Sequence, residues 1–148
     1  MPEHGPPPIF DLLNEIGIIS QLSRAAMEAR TPEGVVLPHF SVLNHLVRLG
    51  DGRTPLQIAR AFQMPKNSLT HTLSGLEARG WIEMRPNPED KRSKLVFLTD
   101  AGRAFRDDTI QSLAQDFQAI VPEIEPGEVE VVLPFLKKLR ALLDQRRD

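Results

Sequence analysis

Apolar residues recur every three or four positions over most of the chain, which is the spacing of helices with one buried face. The first such stretch covers residues 9–30, with apolar residues at positions 9, 12, 13, 16, 19, 22, 26 and 27. A second stretch covers residues 39–50 and ends at Gly50, a residue typical of helix C-termini. These patterns predict a long helix followed by a shorter one.

Two short helices are predicted next. Thr54, Pro55 and Gln57 form a capping box with proline at the first helical position, so a helix should begin there. Pro65 cannot lie in a helix interior, so this helix ends before it and another runs from about residue 65 to residue 79. This succession indicates a helix-turn-helix.

The hydrophobic period changes after Gly80. The segments "WIEMR" and "LVFLT" alternate between two faces, which predicts a β-hairpin with a charged turn between its strands. Helical spacing resumes from Asp100 to residue 120, and a last helix runs to about Arg146 with a kink or break expected at Pro134. The predicted fold class is mainly α with a small β-hairpin.

Composition excludes several classes of function. The 148 residues include no cysteine, so disulfides and thiolate metal sites are excluded. No apolar run reaches about 18 residues, and "MPEHGPPP" lacks the features of a signal peptide, so we expect a cytoplasmic protein with no membrane partner and a disordered tail at residues 1–8. His39 and His45 are six residues apart, which does not suit zinc chelation on one helix. No nucleotide-binding or catalytic motif is present, so we expect no enzyme activity, catalytic residue, metal or cofactor.

Charge is distributed unevenly along the chain. The net charge is −2, but residues 53–94 carry eight Lys/Arg against four acidic residues. The middle of the chain is therefore positive between acidic ends, which predicts an anion-binding surface. Chance clustering is the alternative.

The helix at 66–79 has one apolar face and one polar face. Leu69, Leu73 and Leu76 fall together at about 100° per residue and should face the core. The opposite face is short, polar and almost free of acid, so it suits the major groove of DNA, with Lys66 near a phosphate. The alternative is an ordinary solvated face. The candidate DNA contacts on this helix are Lys66, Asn67, Ser68, Thr70, His71 and Ser74.

The turn of the hairpin carries a second group of cations, Lys91, Arg92 and Lys94. A narrow minor groove attracts an inserted arginine, which a hairpin tip can deliver beside the helix. Asp90 can orient the guanidinium of Arg92, since a carboxylate accepts hydrogen bonds from it. The alternative is an ordinary turn with a surface ion pair of little energy.

Residues 54–105 resemble the winged helix-turn-helix core of the MarR family of bacterial transcription regulators. The resemblance rests on "LQIARAF", "LTHTLSGLEARGWI", "NPEDKRS" and "LTDAG", linked at matching spacings, and the flanking helices fit as well. It implies a single domain over residues 9–148, with a DNA-binding lobe at 39–99 and dimerisation helices at 9–38 and 100–148. Two residues depart from the family pattern: His71 replaces a usual arginine, and Pro65 replaces an acidic or hydroxyl N-cap.

The resemblance implies a homodimer that binds a pseudo-palindromic operator in double-stranded DNA, as a repressor. It assigns the recognition positions to residues 66–68, 70 and 71, and the wing tip to Arg92. Dimerisation is also expected because one lobe of about 50 residues cannot bury the apolar stripes of the flanking helices. A winged-helix module that binds protein is the alternative.

The resemblance further implies a small aromatic or phenolic effector in a crevice between the dimer helices and the lobes. The absence of cysteine excludes the family's peroxide-sensing thiol mechanism. For each candidate crevice residue, a packing or surface role is the alternative, and the sequence favours it over a ligand role. The candidates are Arg24, Met27, His39, Phe40 and His45.

Overall fold

The computed structural model describes residues 5–146, and its contacts divide the chain into two units with a boundary after Leu113. The predicted class, mainly α with one antiparallel hairpin, is confirmed. The first four residues of the predicted tail lie outside the described residues, and Pro8 already belongs to the first helix. The first unit holds α1 (Pro8–Glu28), α2 (Leu37–Leu49), α3 (Pro55–Phe62), α4 (Lys66–Ala78), β1 (Ile82–Pro86), β2 (Lys94–Leu98) and most of α5 (Asp100–Phe117).

The helix-turn-helix forms as its sequence predicts. The Thr54 hydroxyl accepts the Gln57 N–H at 3.2 Å, and the Gln57 side-chain oxygen accepts the Thr54 N–H at 2.9 Å. This reciprocal cap satisfies two donors that the first turn of α3 would otherwise leave unpaired. Gln63 ends α3 in the left-handed conformation, with φ of 49°, and the Met64 N–H donates to the Ala59 carbonyl at 3.0 Å. The chain therefore turns sharply into α4.

The hairpin pairs Ile82 with Leu98 and Met84 with Val96. This register places the four paired residues on one face of the hairpin, where Ile82 and Val96 are buried. Val96 also exchanges backbone hydrogen bonds with the segment before α3: its N–H donates to the Arg53 carbonyl at 2.8 Å, and its carbonyl accepts the Gly52 N–H at 2.9 Å. This third pairing, which the sequence did not predict, attaches the hairpin to the helix-turn-helix.

One hydrophobic core lies in the first unit. It joins α2, α3, α4 and both strands, and half-buried residues such as Phe62, Trp81 and Phe105 pack against it. Because every element of the helix-turn-helix and the hairpin contributes to this core, the two motifs form a single lobe. The buried core residues are Val42, Leu43, Leu46, Ile58, Ala59, Leu69, Leu73, Leu76, Ile82 and Val96.

The second unit contains a short 3-10 turn (Val121–Glu123) and α6 (Glu128–Asp144). Of the kink or break predicted at Pro134, the break does not occur, because helical conformation continues through this residue. A proline removes only one intrahelical hydrogen bond, and the ten residues after it are long enough to continue the helix. Among the described residues, no helix combines the length and apolar character needed to cross a membrane.

Candidate nucleic-acid interface

Helix α4 has the two faces that its sequence predicts. Leu69, Leu73 and Leu76 are buried, and Thr72 is buried beside them with its hydroxyl donating to the Ser68 carbonyl at 3.0 Å. The only acidic residue of the helix is near its C-terminal end. A polar surface that is nearly free of acidic residues therefore faces solvent along α4. The six candidate contacts are all exposed on it: Lys66, Asn67, Ser68, Thr70, His71 and Ser74.

The N-terminus of α4 has no side-chain cap. Pro65 occupies the N-cap position, and its ring offers no acceptor to the N–H groups of the first turn. Its carbonyl accepts the Leu69 N–H at 3.1 Å. The exposed first turn therefore presents N–H groups together with the Lys66 ammonium, an arrangement that favours an anion such as phosphate. The replacement of the family's usual acidic or hydroxyl N-cap by Pro65 therefore leaves this first turn open to an anion.

The C-terminus of α4 is held to the hairpin by a short hydrogen-bond network. Gly80 turns the chain with φ of 72°, and the Trp81 N–H donates to the Leu76 carbonyl at 3.0 Å. The Thr99 hydroxyl then donates to the Gly80 carbonyl at 2.6 Å, and the Thr99 N–H donates to the Trp81 carbonyl at 3.1 Å. Both ends of the hairpin are thus hydrogen-bonded to the end of α4, which links the hairpin directly to this helix.

The hairpin tip contains the predicted contact between Asp90 and Arg92. One Asp90 carboxylate oxygen accepts the Arg92 backbone N–H at 3.0 Å and its side-chain Nε–H at 3.2 Å. The Arg92 side chain is 92% exposed, and within residues 5–146 its terminal Nη groups have no partner. The carboxylate therefore fixes the base of the guanidinium and leaves its outer edge available. Lys91 and Lys94 are also exposed.

The candidate effector residues do not form one site within the chain. Phe40 and His45 line a cavity of about 180 Å³ between α2 and α3. Met27 is buried, and Arg24 forms an ion pair with Glu28 at 3.2 Å. His39 instead faces α4. The structure therefore brings together only two of the five candidates.

His39 lines a second cavity, which sequence reasoning missed. We call it the α4 cavity, and its volume is about 490 Å³. Gly75 makes the close approach of α2 and α4 possible, since a Cβ at this position would lie 2.9 Å from the His39 Nε2. A glycine inside a predicted helix was the available signal for such a contact. The lining residues are Gly34, His39, His71, Ser74, Gly75, Ala78 and Arg79.

Two buried histidines predict a pH-dependent stability. Burial lowers the pKa of His39 below its usual 6.5, assisted by the charge of Arg79, and burial likewise lowers the pKa of His45, assisted by Arg53. As pH decreases, these two histidines are therefore protonated at a higher pH in the unfolded chain than in the folded chain. This contribution to stability is fully present above about pH 6.5 and is lost as pH falls through that value and through the folded-state pKa.

We expect the melting temperature to decrease from about pH 7.5 to about pH 5.5, as measured by calorimetry. His45→Gln should flatten this slope, because it removes one buried titrating group. Asn67→Gln, an exchange of one exposed amide for another, adds and removes no ionisable group and is the control that should leave the slope unchanged. A melting temperature that stays constant over this range in the unaltered protein would contradict the assignment.

The helix-turn-helix, the hairpin anchored at its second helix and the extra pairing at Arg53 together define a winged helix-turn-helix protein. The MarR family profile matches residues 33–93. The multiple antibiotic resistance protein MarR of Escherichia coli K12 is 31% identical over 138 residues, covering 87% of this chain and 95% of that protein. The chain therefore belongs to the MarR family of transcription regulators.

Solved structures agree with this assignment. A cysteine-to-serine mutant of E. coli MarR complexed with operator DNA superposes with a TM-score of 0.68 at 29% identity, covering 88% of this chain and 94% of that one. The transcriptional regulator BldR of Sulfolobus solfataricus has a TM-score of 0.73 at 22% identity, covering 89% and 94% respectively, and shares the fold.

Proposed function

We propose that this protein is a transcription repressor that binds a pseudo-palindromic operator in double-stranded DNA as a homodimer. In this proposal the lobe at 39–99 contacts DNA, and the helices at 9–38 and 100–148 form the dimer. A small aromatic or phenolic ligand releases the protein from its operator. The function is carried out in the cytoplasm.

The observation that carries this proposal is that two cationic or polar surfaces, on α4 and on the hairpin tip, belong to one lobe with a shared core. The exposed face of α4 is nearly free of acid, and its uncapped first turn suits a phosphate. The anchored hairpin carries Arg92 with its outer guanidinium edge free of partners among the described residues. A helix can read base edges in the major groove while an arginine enters the adjacent minor groove. The complex of a mutant E. coli MarR with operator DNA supports DNA binding by a chain of this fold.

Arg92→Ala tests the wing. The substitution removes a contact that does not depend on base identity, so affinity should decrease by a similar factor for every duplex, and the slope of log K against log salt should decrease by about one. Fluorescence anisotropy with genome-selected fragments, measured at several salt concentrations, gives both quantities. Asn67→Ala provides the contrast. It removes a base contact, so the free-energy discrimination between bases at one operator position should decrease by about 1–3 kcal/mol.

Arg140→Ala is the matched control for charge, because it removes an exposed arginine from α6, outside the proposed DNA-binding lobe at 39–99. It should leave affinity and salt slope nearly unchanged. If Arg92→Ala also leaves both unchanged, the wing assignment is wrong. If the folded, unaltered protein selects no DNA at low salt, the protein-interaction module becomes the better function.

A further inference from the structure

The first part of α5, residues 100–110, has one side packed against the lobe. Gly102 and Thr109 are buried and Phe105 and Arg106 are half-buried, at the spacing of one helix face, whereas the other residues of this segment are exposed. Arg106 is the only charged side chain among these four. A charged group on a packed face is costly unless it has a partner, so the contacts of Arg106 indicate its role.

Helix α5 first meets the lobe at the end of the hairpin. The Phe105 ring stacks on the Trp81 ring, with centroids 3.9 Å apart and planes 14° from parallel. Gly102 approaches the Trp81 carbonyl so closely that no Cβ would fit between them. Because both contacts fall on one residue of the lobe, they form a single attachment point. They fix the position of α5 at that point and constrain its direction only weakly.

A second attachment point lies on α2. The Nε and Nη2 groups of Arg106 both donate to the side-chain oxygen of Asn44, at 3.2 Å and 2.9 Å. A guanidinium only donates hydrogen bonds, so the amide oxygen must face it. The third nitrogen, Nη1, donates to the neighbouring Asp107 at 2.9 Å. We call the two bonds between Arg106 and Asn44 the Arg106 fork.

The Arg106 fork is suited to fixing a direction. It joins two helices whose residues are 62 positions apart, and the Arg106 side chain is only 23% exposed, so water competes with the fork less than with a surface ion pair. The planar guanidinium offers two donors at a set angle to one acceptor. Together with the attachment at Trp81, the fork holds α5 at two separate places on the lobe, which determines how the helix is directed.

We infer that Asn44 and Arg106 are positioning residues that fix the orientation of the DNA-binding lobe on α5 and thereby select the spacing between the two half-sites of the operator. This inference rests on the proposed function. In the proposed dimer, α5 belongs to the helices that hold the two copies together, whereas α2 belongs to the lobe. The orientation of each lobe on its own α5 therefore sets the distance and the rotation between the two copies of α4.

The spacing of the half-sites is a sharp test of lobe orientation. One base pair corresponds to about 3.4 Å along the duplex and about 35° around it. An operator with one base pair too many or too few therefore requires a lobe to turn on α5. The fork opposes this rotation, because its hydrogen bonds weaken steeply when their distances and angles change.

The experiment uses a set of duplexes that contain the same two half-sites, taken from a genome-selected operator, with spacers of the original length and of one or two base pairs more or fewer. A duplex with a single half-site completes the set. Fluorescence anisotropy gives the affinity of the full chain for each. The unaltered protein should bind the best spacing about tenfold more tightly than either neighbouring length, which corresponds to the loss of one charge-assisted hydrogen bond.

Asn44→Ala and Arg106→Lys should each reduce this ratio to about threefold or less, because the attachment at Trp81 alone remains. Both new residues favour helices, and lysine keeps the charge while losing the planar fork. Affinity for the single half-site should stay nearly unchanged, since the lobe itself is intact. The two substitutions combined should reduce the ratio no further than either alone, because they remove the same interaction.

Two further variants separate the fork from its surroundings. Asn44→Asp should retain the ratio of the unaltered protein, because a carboxylate accepts both donors of Arg106. Asp107→Asn is the matched control: it weakens the bond of the same guanidinium to its neighbour, which joins no second element, and should leave the ratio unchanged. Calorimetry and light scattering on the same samples should show each variant folded and dimeric.

Several results would overturn the inference. Variants that lose affinity equally for all spacings and for the single half-site would show that the fork supports only the fold of the lobe. Variants that become monomeric would place the fork in assembly instead. If the unaltered protein binds DNA without any preference for spacing, or if the fork variants keep the full ratio, the inference fails while the proposed DNA binding stands. If the unaltered protein binds no duplex, the proposed function fails and the inference fails with it.

Discussion

Gly102→Ala should destabilise the folded lobe more than any other single methyl addition to a glycine of the chain's described part. A Cβ built at this position lies only 2.1 Å from the Trp81 carbonyl oxygen, 2.9 Å from its carbonyl carbon and 3.0 Å from a Leu98 methyl. Two of these three atoms are backbone, so no rotamer change relieves the overlap. Because α5 and the hairpin must separate, we expect a loss of about 3 kcal/mol and a melting temperature lower by about 10 °C.

The separation should also affect the hydrogen bonds that converge on the same point. The Gly102 N–H donates to the Thr99 hydroxyl at 3.0 Å, and the Thr99 N–H donates to the overlapping Trp81 carbonyl. Moving Trp81 would thus loosen the anchor between α4 and the hairpin, and DNA affinity should decrease along with stability.

Gly17→Ala is the matched control for this prediction. Gly17 lies inside α1, and a Cβ there meets no atom within 4 Å. Since alanine favours a helix interior over glycine, the variant should be as stable as the unaltered protein or more stable by about 0.5–1 kcal/mol. Calorimetric unfolding of both variants gives the comparison. Equal stability of the two would show that the approach of α5 to Trp81 is looser than the structure indicates.

The secondary structure could be predicted because its signals are local. The capping box at Thr54, the terminating Gly50 and the alternation in the two strands each involve residues within a few positions of one another, and the structure confirms them. The faces of α4 follow from the spacing of three leucines. The contact between Asp90 and Arg92 was predictable for the same reason, because the two residues are two positions apart in one turn.

The contacts that assemble the lobe could not be predicted, because their partners are distant in the sequence. The motif "LTDAG" contains Gly102, but only the Trp81 carbonyl explains the glycine. Arg53 pairs with Val96, and His39 packs on Gly75, each across more than 30 residues. A cavity is formed by such long-range contacts. Because the sequence does not reveal them, the five candidate effector residues lie at different places in the structure, and the α4 cavity was not predicted.

The exposed apolar surface of the chain is concentrated outside the lobe. Helix α1 carries several large hydrophobic residues in contact with solvent, among them Ile19 at 59% and Leu22 at 67% exposure. Helix α6 also has no buried residue, although its apolar positions recur at helical spacing. Continuous stripes of this kind are costly on a monomer in water, and a two-fold partner offers the same stripe to cover them. The proposed homodimer is the arrangement that buries both.

Ile19→Glu combined with Leu22→Glu should therefore convert the protein to a monomer. Both side chains are exposed within one chain, so the fold should survive, but a two-fold interface would contain four added carboxylates. Burying an unpaired charge costs several kcal/mol, so dimer affinity should decrease by roughly 1,000-fold or more, and operator affinity should fall with it because each lobe then binds a half-site alone. Light scattering at micromolar concentration and anisotropy on the same samples measure the two losses.

Ser20→Glu combined with Gln21→Glu controls for charge, because these exposed polar residues together point to the opposite side of the same helix at about 100° per residue. This variant adds the same charges to α1 and should remain dimeric with nearly unchanged operator affinity. If both double variants stay dimeric, the interface does not use the apolar stripe of α1. If both become monomeric, net charge rather than the stripe determines assembly. A difference between them is expected only if Ile19 and Leu22 are covered by a second copy of the chain.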